Sequence, residues 1–245
     1  MRPRLAKYLA LCGLGSRRHA CRLIDAGLVT FNGRSASHTD RVTLDGQEAC
    51  LDDIRVAGVR LRPPQAPSYW LFNKPVGVDC RLLAQDPCSL LHLLPAEPRL
   101  YPVGRLDKDS RGLLLLTNDG ELTHSLMHPD FGHSKTYHVR LNLALDEAFL
   151  TRMAQGVSYK GICTLPCDTR RLTDDSFEIV LTQGLNRQIR RMSQALGYRV
   201  IDLQRVALMR LELGDLAEGQ MRPLTEQEIA GLVCLKQEKS PPTNP

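Results

Sequence analysis

No apolar run in this 245-residue sequence is long enough to cross a bilayer, and Met1–Arg4 is not followed by a secretory apolar segment. The eight cysteines are scattered and form no Cys-x-x-Cys pair, so a disulfide framework is not expected. No internal period of roughly 20 to 50 residues recurs, which argues against a repeat architecture. These absences favour a globular protein that works in the cytoplasm.

Metal-binding motifs are also missing. His124 and His128 are four residues apart on a predicted helix, as zinc ligands can be, but no glutamate follows His124 in a His-Glu-x-x-His motif. Cys163 and Cys167 lack a second pair of ligands. We therefore expect no metal and no organic cofactor, and a metal-dependent hydrolase built on the histidines is a minor alternative.

Positive charge is concentrated in two stretches. Residues 1–62 and 183–210 each carry a net charge of +5, whereas residues 63–182 and 211–245 carry −2 and −3. Separate basic stretches indicate a polyanion that is contacted at two places. Solvated basic faces would give the same counts, so the charge alone leaves both interpretations open.

The first 62 residues predict two helices followed by a small sheet. Apolar residues with helical spacing begin at Leu5, and Ser16 can cap a second helix that ends near Gly27. Val29–Phe31 then leads into the tight-turn dipeptide Asn32-Gly33. Further short strands are expected at Val42, Leu44, Leu51, Ile54, Val56 and Val59.

This first module resembles the S-four RNA-binding domain, which is named for a small-subunit ribosomal protein. The similar segments are residues 5–9 (Leu-Ala-Lys-Tyr-Leu), 13–18 (Gly-Leu-Gly-Ser-Arg-Arg) and 27–33 (Gly-Leu-Val-Thr-Phe-Asn-Gly). In such domains the second helix and the preceding loop meet RNA. The resemblance implies phosphate contacts by Lys7, Arg17, Arg18 and Arg22, and a solvated helix face is the alternative.

A proline-rich segment divides the chain. Residues 63–67 contain three prolines and predict a stiff linker after a first domain of residues 1–62. We expect a second domain at residues 68–237 and a disordered tail at residues 238–245.

Strands and helices alternate in the second domain. Strands are predicted at Tyr69–Phe72, Leu113–Thr117, Lys135–Leu141 and Phe177–Thr182. Helices are predicted at Gly120–His128, at Asn186–Leu196 and after a capping box at Thr225–Glu228. The expected fold class is therefore α+β, with a mixed and mainly antiparallel sheet.

The most informative segment is residues 104–120. Asp107 lies between Arg105 and Lys108 on a loop before an apolar strand, and a carboxylate in a cleft is a competent nucleophile or base. A loop aspartate that caps a turn is the alternative. The whole segment closely resembles the signature loop of bacterial pseudouridine synthases of the RsuA group, which implies an RNA-modifying enzyme with Asp107 as its catalytic residue.

The chemistry of this family makes limited demands on the protein. The bond between ribose carbon 1 and uracil nitrogen 1 breaks, the base turns, and ribose carbon 1 joins uracil carbon 5. A carboxylate must attack ribose carbon 1 or deprotonate carbon 2, and the freed uracil must be retained. Asp109 could suggest a glycosidase-like carboxylate pair, but neighbours on one loop seldom face each other across a substrate. We expect Asp109 to structure the loop through hydrogen bonds near Ser110 or Arg111.

Three further elements match the family's motifs in order. Tyr137 takes the place of a tyrosine that stacks on the flipped uracil, although a half-buried strand tyrosine is the alternative. Lys74 would support the active-site loop, unless it only forms a Lys-Pro turn. In the last motif, residues 183–192, Leu185 stands where relatives commonly carry Lys or Arg, so Arg187 or Arg190 would have to pair with Asp107. The candidate RNA-binding residues of this domain are Lys74, Arg105, Leu106, Lys108, Arg187, Gln188, Ile189, Arg190 and Arg191.

The last motif is closest to enzymes of the group that act on 23S rRNA. A 23S rRNA hairpin is therefore the expected substrate, and a tRNA anticodon stem-loop is a second candidate. A monomer without a membrane partner is expected. The alternative function is a non-catalytic RNA-binding or ribosome-assembly factor, which would need a degraded catalytic loop.

Overall fold

The computed structural model describes residues 2–45, 49–127 and 132–238. The chain divides into two compact units. One comprises Met1–Ser68 and Pro95–Leu100, and the other comprises Tyr69–Leu94 and Tyr101–Pro245. Except for Glu238, the predicted disordered tail lies outside the described residues.

The first unit contains two helices and a four-stranded antiparallel sheet of order β2-β1-β3-β4. The helices are α1 (Leu5–Leu11) and α2 (Arg17–Asp25), and the strands are β1 (Val29–Phe31), β2 (Arg34–Ser35), β3 (Ile54–Val56) and β4 (Val59–Arg60). The predicted order of two helices and a small sheet is confirmed. Near the predicted strands at residues 42–51, the described residues form isolated bridges such as that between Leu44 and Cys50.

Local side chains explain the limits of these elements. The Ser16 hydroxyl oxygen accepts a hydrogen bond from the His19 backbone N–H at 3.1 Å and thereby caps α2, as predicted. Asn32 and Gly33 both have positive φ, as a two-residue hairpin turn requires. The inward faces of both helices and of β1 and β3 form a small core of their own.

The segment Pro95–Leu100 belongs to the first unit through two contacts. Arg62 Nη1 donates to Glu97 Oε1 at 3.2 Å, and the Arg99 backbone N–H donates to Gln65 Oε1 at 3.0 Å. Because these partners are more than 30 residues apart, no local pattern in the sequence indicates the grouping.

The second unit consists of a large sheet with helices. Its strands are β5 (Tyr69–Lys74), β6 (Tyr101–Pro102), β7 (Arg111–Thr117), β8 (Lys135–Leu141), β9 (Ser158–Tyr159), β10 (Ile162–Cys163), β11 (Asp168–Arg171), β12 (Ser176–Leu181), β13 (Val200–Leu208), β14 (Leu211–Glu212) and β15 (Met221–Pro223). Its helices are α3 (Gly120–Met127), α4 (Glu147–Gln155), α5 (Gln188–Ala195) and α6 (Glu226–Glu238), with a 3-10 helix at Leu90–Leu93.

Nine strands form one mixed sheet. The main order is β11-β12-β8-β13-β7-β5-β15, with β14 paired to β13 and β6 paired to β7, whereas β9 and β10 form a separate hairpin. Among the described residues β13 and β7 run parallel, and the other ladders are antiparallel. The predicted α+β class and mainly antiparallel sheet are confirmed. The long central strand β13 was not predicted.

Two apolar clusters hold the helices to this sheet. One includes Phe149 of α4 and Met192 of α5, and the other includes Leu122 of α3 and Leu232 of α6. The capping box of α6 forms as predicted, because Thr225 and Glu228 exchange hydrogen bonds between side chain and backbone N–H, at 2.8 and 3.2 Å.

The parallel contact between β7 and β13 needs a glycine. Gly112 has φ +107°, and a Cβ atom at this position would lie 2.3 Å from the backbone oxygen of Arg205. No side chain fits there, so Gly112 allows the two strands to approach directly after the loop that carries Asp107.

Candidate active site

A cleft of about 510 Å³ lies in the second unit and is large enough for a nucleotide-sized ligand. Its lining brings together residues predicted from three separate segments of the sequence: Arg105, Leu106, Asp107, Lys108, Tyr137, Arg187, Gln188 and Ile189. The cleft therefore contains the predicted catalytic carboxylate and the predicted stacking tyrosine.

Asp107 faces this cleft with a side chain that is 32% exposed. Arg187 Nη1 lies 3.8 Å from Asp107 Oδ2, which is a long ion pair. Of the two cations considered in place of Leu185, Arg187 thus lies beside Asp107. The guanidinium of Arg190 instead donates to the backbone oxygen of Asp109 at 2.7 Å.

Other segments hold the backbone of the Asp107 loop on both sides of the carboxylate. The buried thiol of Cys80 accepts from the Leu106 N–H at 3.4 Å and donates to the Leu106 oxygen at 3.3 Å. Gly77 N–H donates to the Lys108 oxygen at 2.8 Å. Because the neighbours of Asp107 are fixed in this way, its carboxylate is presented by a rigid turn.

Lys74 anchors the end of the same loop. Its ammonium group donates to the backbone oxygens of Pro75 at 2.8 Å and Ser110 at 2.7 Å. The side chain is fully buried, and this burial lowers the pKa of Lys74. The prediction that Lys74 contacts RNA is therefore wrong, because its charged end is enclosed by the protein.

Asp109 forms an ion pair with Arg187, which lines the cleft. Arg187 Nη1 donates to Asp109 Oδ1 at 3.0 Å and Nη2 donates to Oδ2 at 2.7 Å, a bidentate pair. Its hydrogen bonds with Arg187 hold the pKa of Asp109 below its usual range. The expected partners near Ser110 or Arg111 are thus replaced by Arg187, which has the left-handed backbone conformation at φ +51°.

Tyr137 lies on β8 and is half-buried in the lining of the cleft. Its neighbours across the sheet are Ile179 on β12 and Arg205 on β13. The ring packs against the apolar cluster of α4 and α5, which fixes its position.

Comparison with known proteins identifies the family. A sequence profile described as RNA pseudouridylate synthase matches residues 68–195. The dual-specificity RNA pseudouridine synthase RluF of Escherichia coli (strain K12) is 35% identical over 244 residues, which cover 99% of this chain and 82% of the relative. The chain belongs to the RNA pseudouridine synthase family. It is therefore an isomerase that converts uridine to pseudouridine in RNA.

Two further comparisons agree with this assignment. The ribosomal large subunit pseudouridine synthase B of Bacillus subtilis (strain 168) is 35% identical, and the match covers 95% of this chain and 96% of the relative. The crystal structure of a pseudouridylate synthase superposes with a TM-score of 0.67 at 30% identity, and it covers 94% of this chain and 99% of that one. The predicted resemblance to the RsuA group is confirmed.

Side chains of the last motif of this synthase contact the protein itself more than predicted. Ile189 is buried in the core cluster, and Gln188 is buried with its Oε1 accepting from the Leu185 N–H at 3.1 Å. Both contribute to the cleft wall, but neither projects as an exposed contact for RNA. Arg191 is partly buried and donates to Asn186 Oδ1 at 2.7 Å.

Cys80 and Arg205 are among the cleft residues that the sequence analysis did not assign to the site. Cys80 clamps Leu106 as described above, and Arg205 is buried in the cleft lining with its Nε donating to the Leu113 oxygen at 2.7 Å. A signal for Arg205 was present, because it follows Leu203 at the two-residue spacing of one strand face. An arginine on an inward face is unusual and marks a site.

Exposed cations of the synthase lie elsewhere. In the first unit Arg17, Arg18 and Arg22 are exposed on α2 and form no ion pair with any described residue, whereas Lys7 is partly buried and engaged. In the second unit Arg105 and Lys108 are exposed at the cleft.

The described ranges contain neither a metal-ligand cluster nor a membrane-spanning helix. No group of three His, Cys, Asp or Glu side chains there could hold a metal ion, and His128 falls outside those ranges. No described helix has both the length and the apolar character needed to cross a bilayer.

Proposed function

We propose that this synthase modifies rRNA of the large ribosomal subunit and that Asp107 is its catalytic residue. The observation that carries the proposal is the placement of Asp107 in the cleft, on a loop whose backbone is held on both sides by Cys80, Gly77 and Lys74. A rigidly held carboxylate meets the main requirement of the isomerisation.

The cleft also offers what a flipped uridine needs. Tyr137 presents a half-buried ring on which uracil can stack, with the ribose toward Asp107. Asp107 then attacks ribose carbon 1 or removes the proton of carbon 2. Arg105 is exposed and lines the cleft, and it would fill the gap left in the RNA or bind its phosphate.

The substrate assignment follows the relatives. The Bacillus subtilis relative is named for the large ribosomal subunit, and the Escherichia coli relative is named for dual specificity. We assign a 23S rRNA hairpin to this chain and keep a tRNA anticodon stem-loop as the second candidate. We also infer that the enzyme acts as a monomer in the cytoplasm, where these RNAs are made.

The first unit would add affinity for RNA. Its order of two helices and a sheet supports the resemblance to the S-four domain, and α2 exposes three arginines. We propose that residues 1–62 form this domain, that residues 63–67 link it to a catalytic domain of residues 68–237, and that Lys7, Arg17, Arg18 and Arg22 bind phosphates.

A pseudouridine map tests the substrate. The pseudouridines of 23S rRNA, 16S rRNA and tRNA are mapped in cells with and without the gene, and with the gene restored. We expect at least one 23S rRNA site to depend on the gene. If only 16S rRNA or tRNA sites changed, the proposed substrate would be wrong.

Tritium release separates catalysis from mere binding. RNA labelled at uracil carbon 5 loses its label when the new bond forms at that carbon, and a non-catalytic assembly factor would release none. A metal-dependent hydrolase would instead be inhibited by chelators, which we expect to have no effect here.

A further inference from the structure

Arg205 places a buried positive charge in the lining of the cleft without a carboxylate beside it. The residue is only 3% exposed, and its Nε donates to the Leu113 oxygen at 2.7 Å. Its Nη2 is buried and has no hydrogen-bond partner among the described residues, and no ion pair within them includes Arg205. A buried guanidinium with an unused donor is unfavourable unless a ligand supplies the missing acceptor.

The carboxylates of the cleft are engaged elsewhere. The lining contains two of them, and Asp79 forms an ion pair with Arg81 at 2.7 Å while Asp107 lies 3.8 Å from Arg187. Neither is paired with Arg205. The positive charge of Arg205 is therefore not neutralised by the protein groups that share the cleft.

A second cation increases the positive potential in the same place. Lys135 lies on β8, two residues before the Tyr137 that faces Arg205 across the strands, and it also lines the cleft. Burial lowers the pKa of Lys135, and the charge of Arg205 lowers it further. Two neighbouring cations without a protein anion favour an electron-rich ligand group beside them.

The isomerisation creates such a group for a short time. When the bond between ribose carbon 1 and uracil nitrogen 1 breaks, its electron pair remains on uracil, and nitrogen 1 and both carbonyl oxygens share the negative charge. Carbon 5 then gives an electron pair to ribose carbon 1, while the bond from Asp107 to carbon 1 breaks or carbon 2 regains its proton from Asp107. The ring is neutral after this step, and loss of the carbon 5 proton to solvent with gain of a proton at nitrogen 1 completes pseudouridine. A fixed cation near a carbonyl oxygen stabilises this state more than it stabilises bound uridine.

We propose that Arg205 is a further catalytic residue, whose guanidinium donates a hydrogen bond to a uracil carbonyl oxygen and stabilises the uracil anion between the two bond changes. Lys135 adds to the positive potential. The proposal holds whether Asp107 attacks carbon 1 or deprotonates carbon 2, since the uracil carries the same charge in both cases. It rests on the proposed binding of the flipped uridine beside Tyr137.

A substrate with a more stable uracil anion tests this role. Fluorine at carbon 5 withdraws electrons, so the anion of 5-fluorouracil depends less on a protein cation. Transcripts of 23S and 16S rRNA are made with uridine or with 5-fluorouridine. The disappearance of the target nucleoside is followed at saturating enzyme by digestion and mass spectrometry, for the wild type, Arg205→Gln and Arg205→Lys.

We expect Arg205→Gln to slow the reaction of uridine about 100-fold, as the loss of one donor to a developing anion does, and to leave RNA affinity within about threefold. The loss should be about tenfold smaller with 5-fluorouridine, because the fluorine replaces part of the stabilisation. Arg205→Lys keeps the charge and should lie between Arg205→Gln and the wild type.

Arg111→Gln is the matched control for a purely structural role. Arg111 also connects β7 to β13, through Asp202 at 2.8 Å, but it does not line the cleft. Any loss of rate that Arg111→Gln causes should be the same factor on the uridine RNA and on the 5-fluorouridine RNA. An equal loss on both RNAs for Arg205→Gln, or full activity, would overturn the proposal. If Arg205→Gln fails to fold in a thermal unfolding test, Arg205→Lys takes its place. A smaller loss of rate with 5-fluorouridine than with uridine then supports the proposal, and an equal loss overturns it.

The test separates this proposal from the proposed substrate. The wild-type rates on the two uridine transcripts show which rRNA is modified. The role of Arg205 is read only from the ratio of variant to wild type on whichever transcript reacts.

Discussion

The basic residues around the Asp107 loop and those on α2 are used in opposite ways. Around the loop Lys74 and Arg190 donate to backbone oxygens, and Arg187 binds the carboxylate of Asp109. The three arginines of α2 are exposed and have no ion pair among the described residues. One set of cations stabilises a protein loop, and the other remains available to a polyanion.

This difference shows that a count of basic residues says little about how RNA is bound. When protein acceptors bind all the donors of a cation, that cation holds neighbouring protein groups in position. An exposed and unpaired cation can instead neutralise phosphate. Substitutions in the first set should therefore lower kcat, and substitutions in the second set should weaken RNA binding.

Among the residues that support the loop, Lys74→Met should give the largest effect on kcat. The substitution leaves the buried oxygens of Pro75 and Ser110 without their donor, at a cost of about 1–3 kcal/mol each, and releases the end of the loop. A displacement of Asp107 by about 1 Å lowers kcat on the order of 100-fold. Single-turnover rates and RNA affinity measured on the same protein should show a loss of rate with unchanged affinity.

Lys108→Met is the control for this change. It removes an exposed cation from the same loop, so RNA affinity should fall while the rate at saturation is nearly kept. The opposite pattern, weaker binding without a loss of rate in Lys74→Met, would contradict the role of Lys74 as a loop anchor.

Asp109→Asn should lower the rate by about tenfold, because it removes the bidentate partner that fixes Arg187 beside Asp107. The pKa of Asp109 is depressed in the folded protein, so this pair stabilises the fold fully above the unfolded pKa of about 4 and is lost as the pH falls through the lowered value. The ratio of variant to wild-type rate should therefore be constant between about pH 5 and 8. A ratio that changed in this range would argue against the pair.

Arg18→Ala with Arg22→Ala should give the smallest effect on catalysis. These residues lie one turn apart on α2. Their loss should raise the Kd for RNA about fivefold and reduce the number of counterions released on binding, read from the slope of log K against log salt, by up to about two. Arg55→Ala with Arg60→Ala removes the same charge from the sheet of the same unit and should change the Kd less. Equal effects of the two pairs would mean that α2 is not a dedicated RNA contact.

Features set by neighbouring residues could be predicted from the sequence. The cap at Ser16, the capping box at Thr225 and the strand Lys135–Leu141 form as expected, because each depends on side chains within a few positions. The family loop likewise indicated Asp107 from a single continuous segment.

Features set by distant pairing could not be predicted in the same way. Asp109 and Arg187 are 78 residues apart, and Arg205 and Leu113 are 92 residues apart. Arg205 is buried because β13 runs beside β7, and neither strand reveals the other as its partner. Lys74 and Ser110 are likewise 36 residues apart, so no local pattern shows that the charge of Lys74 is satisfied there.

The most direct test of the central claim is the rate of tritium release by Asp107→Asn, measured beside Asp109→Asn on the same RNA. Both variants lose one negative charge from the same loop, but only Asp107 lines the cleft. We predict that Asp107→Asn is at least about 1,000-fold slower than the wild type with unchanged RNA affinity, and that Asp109→Asn retains about a tenth of the rate. Release by Asp107→Asn as fast as that of Asp109→Asn would contradict the catalytic role of Asp107.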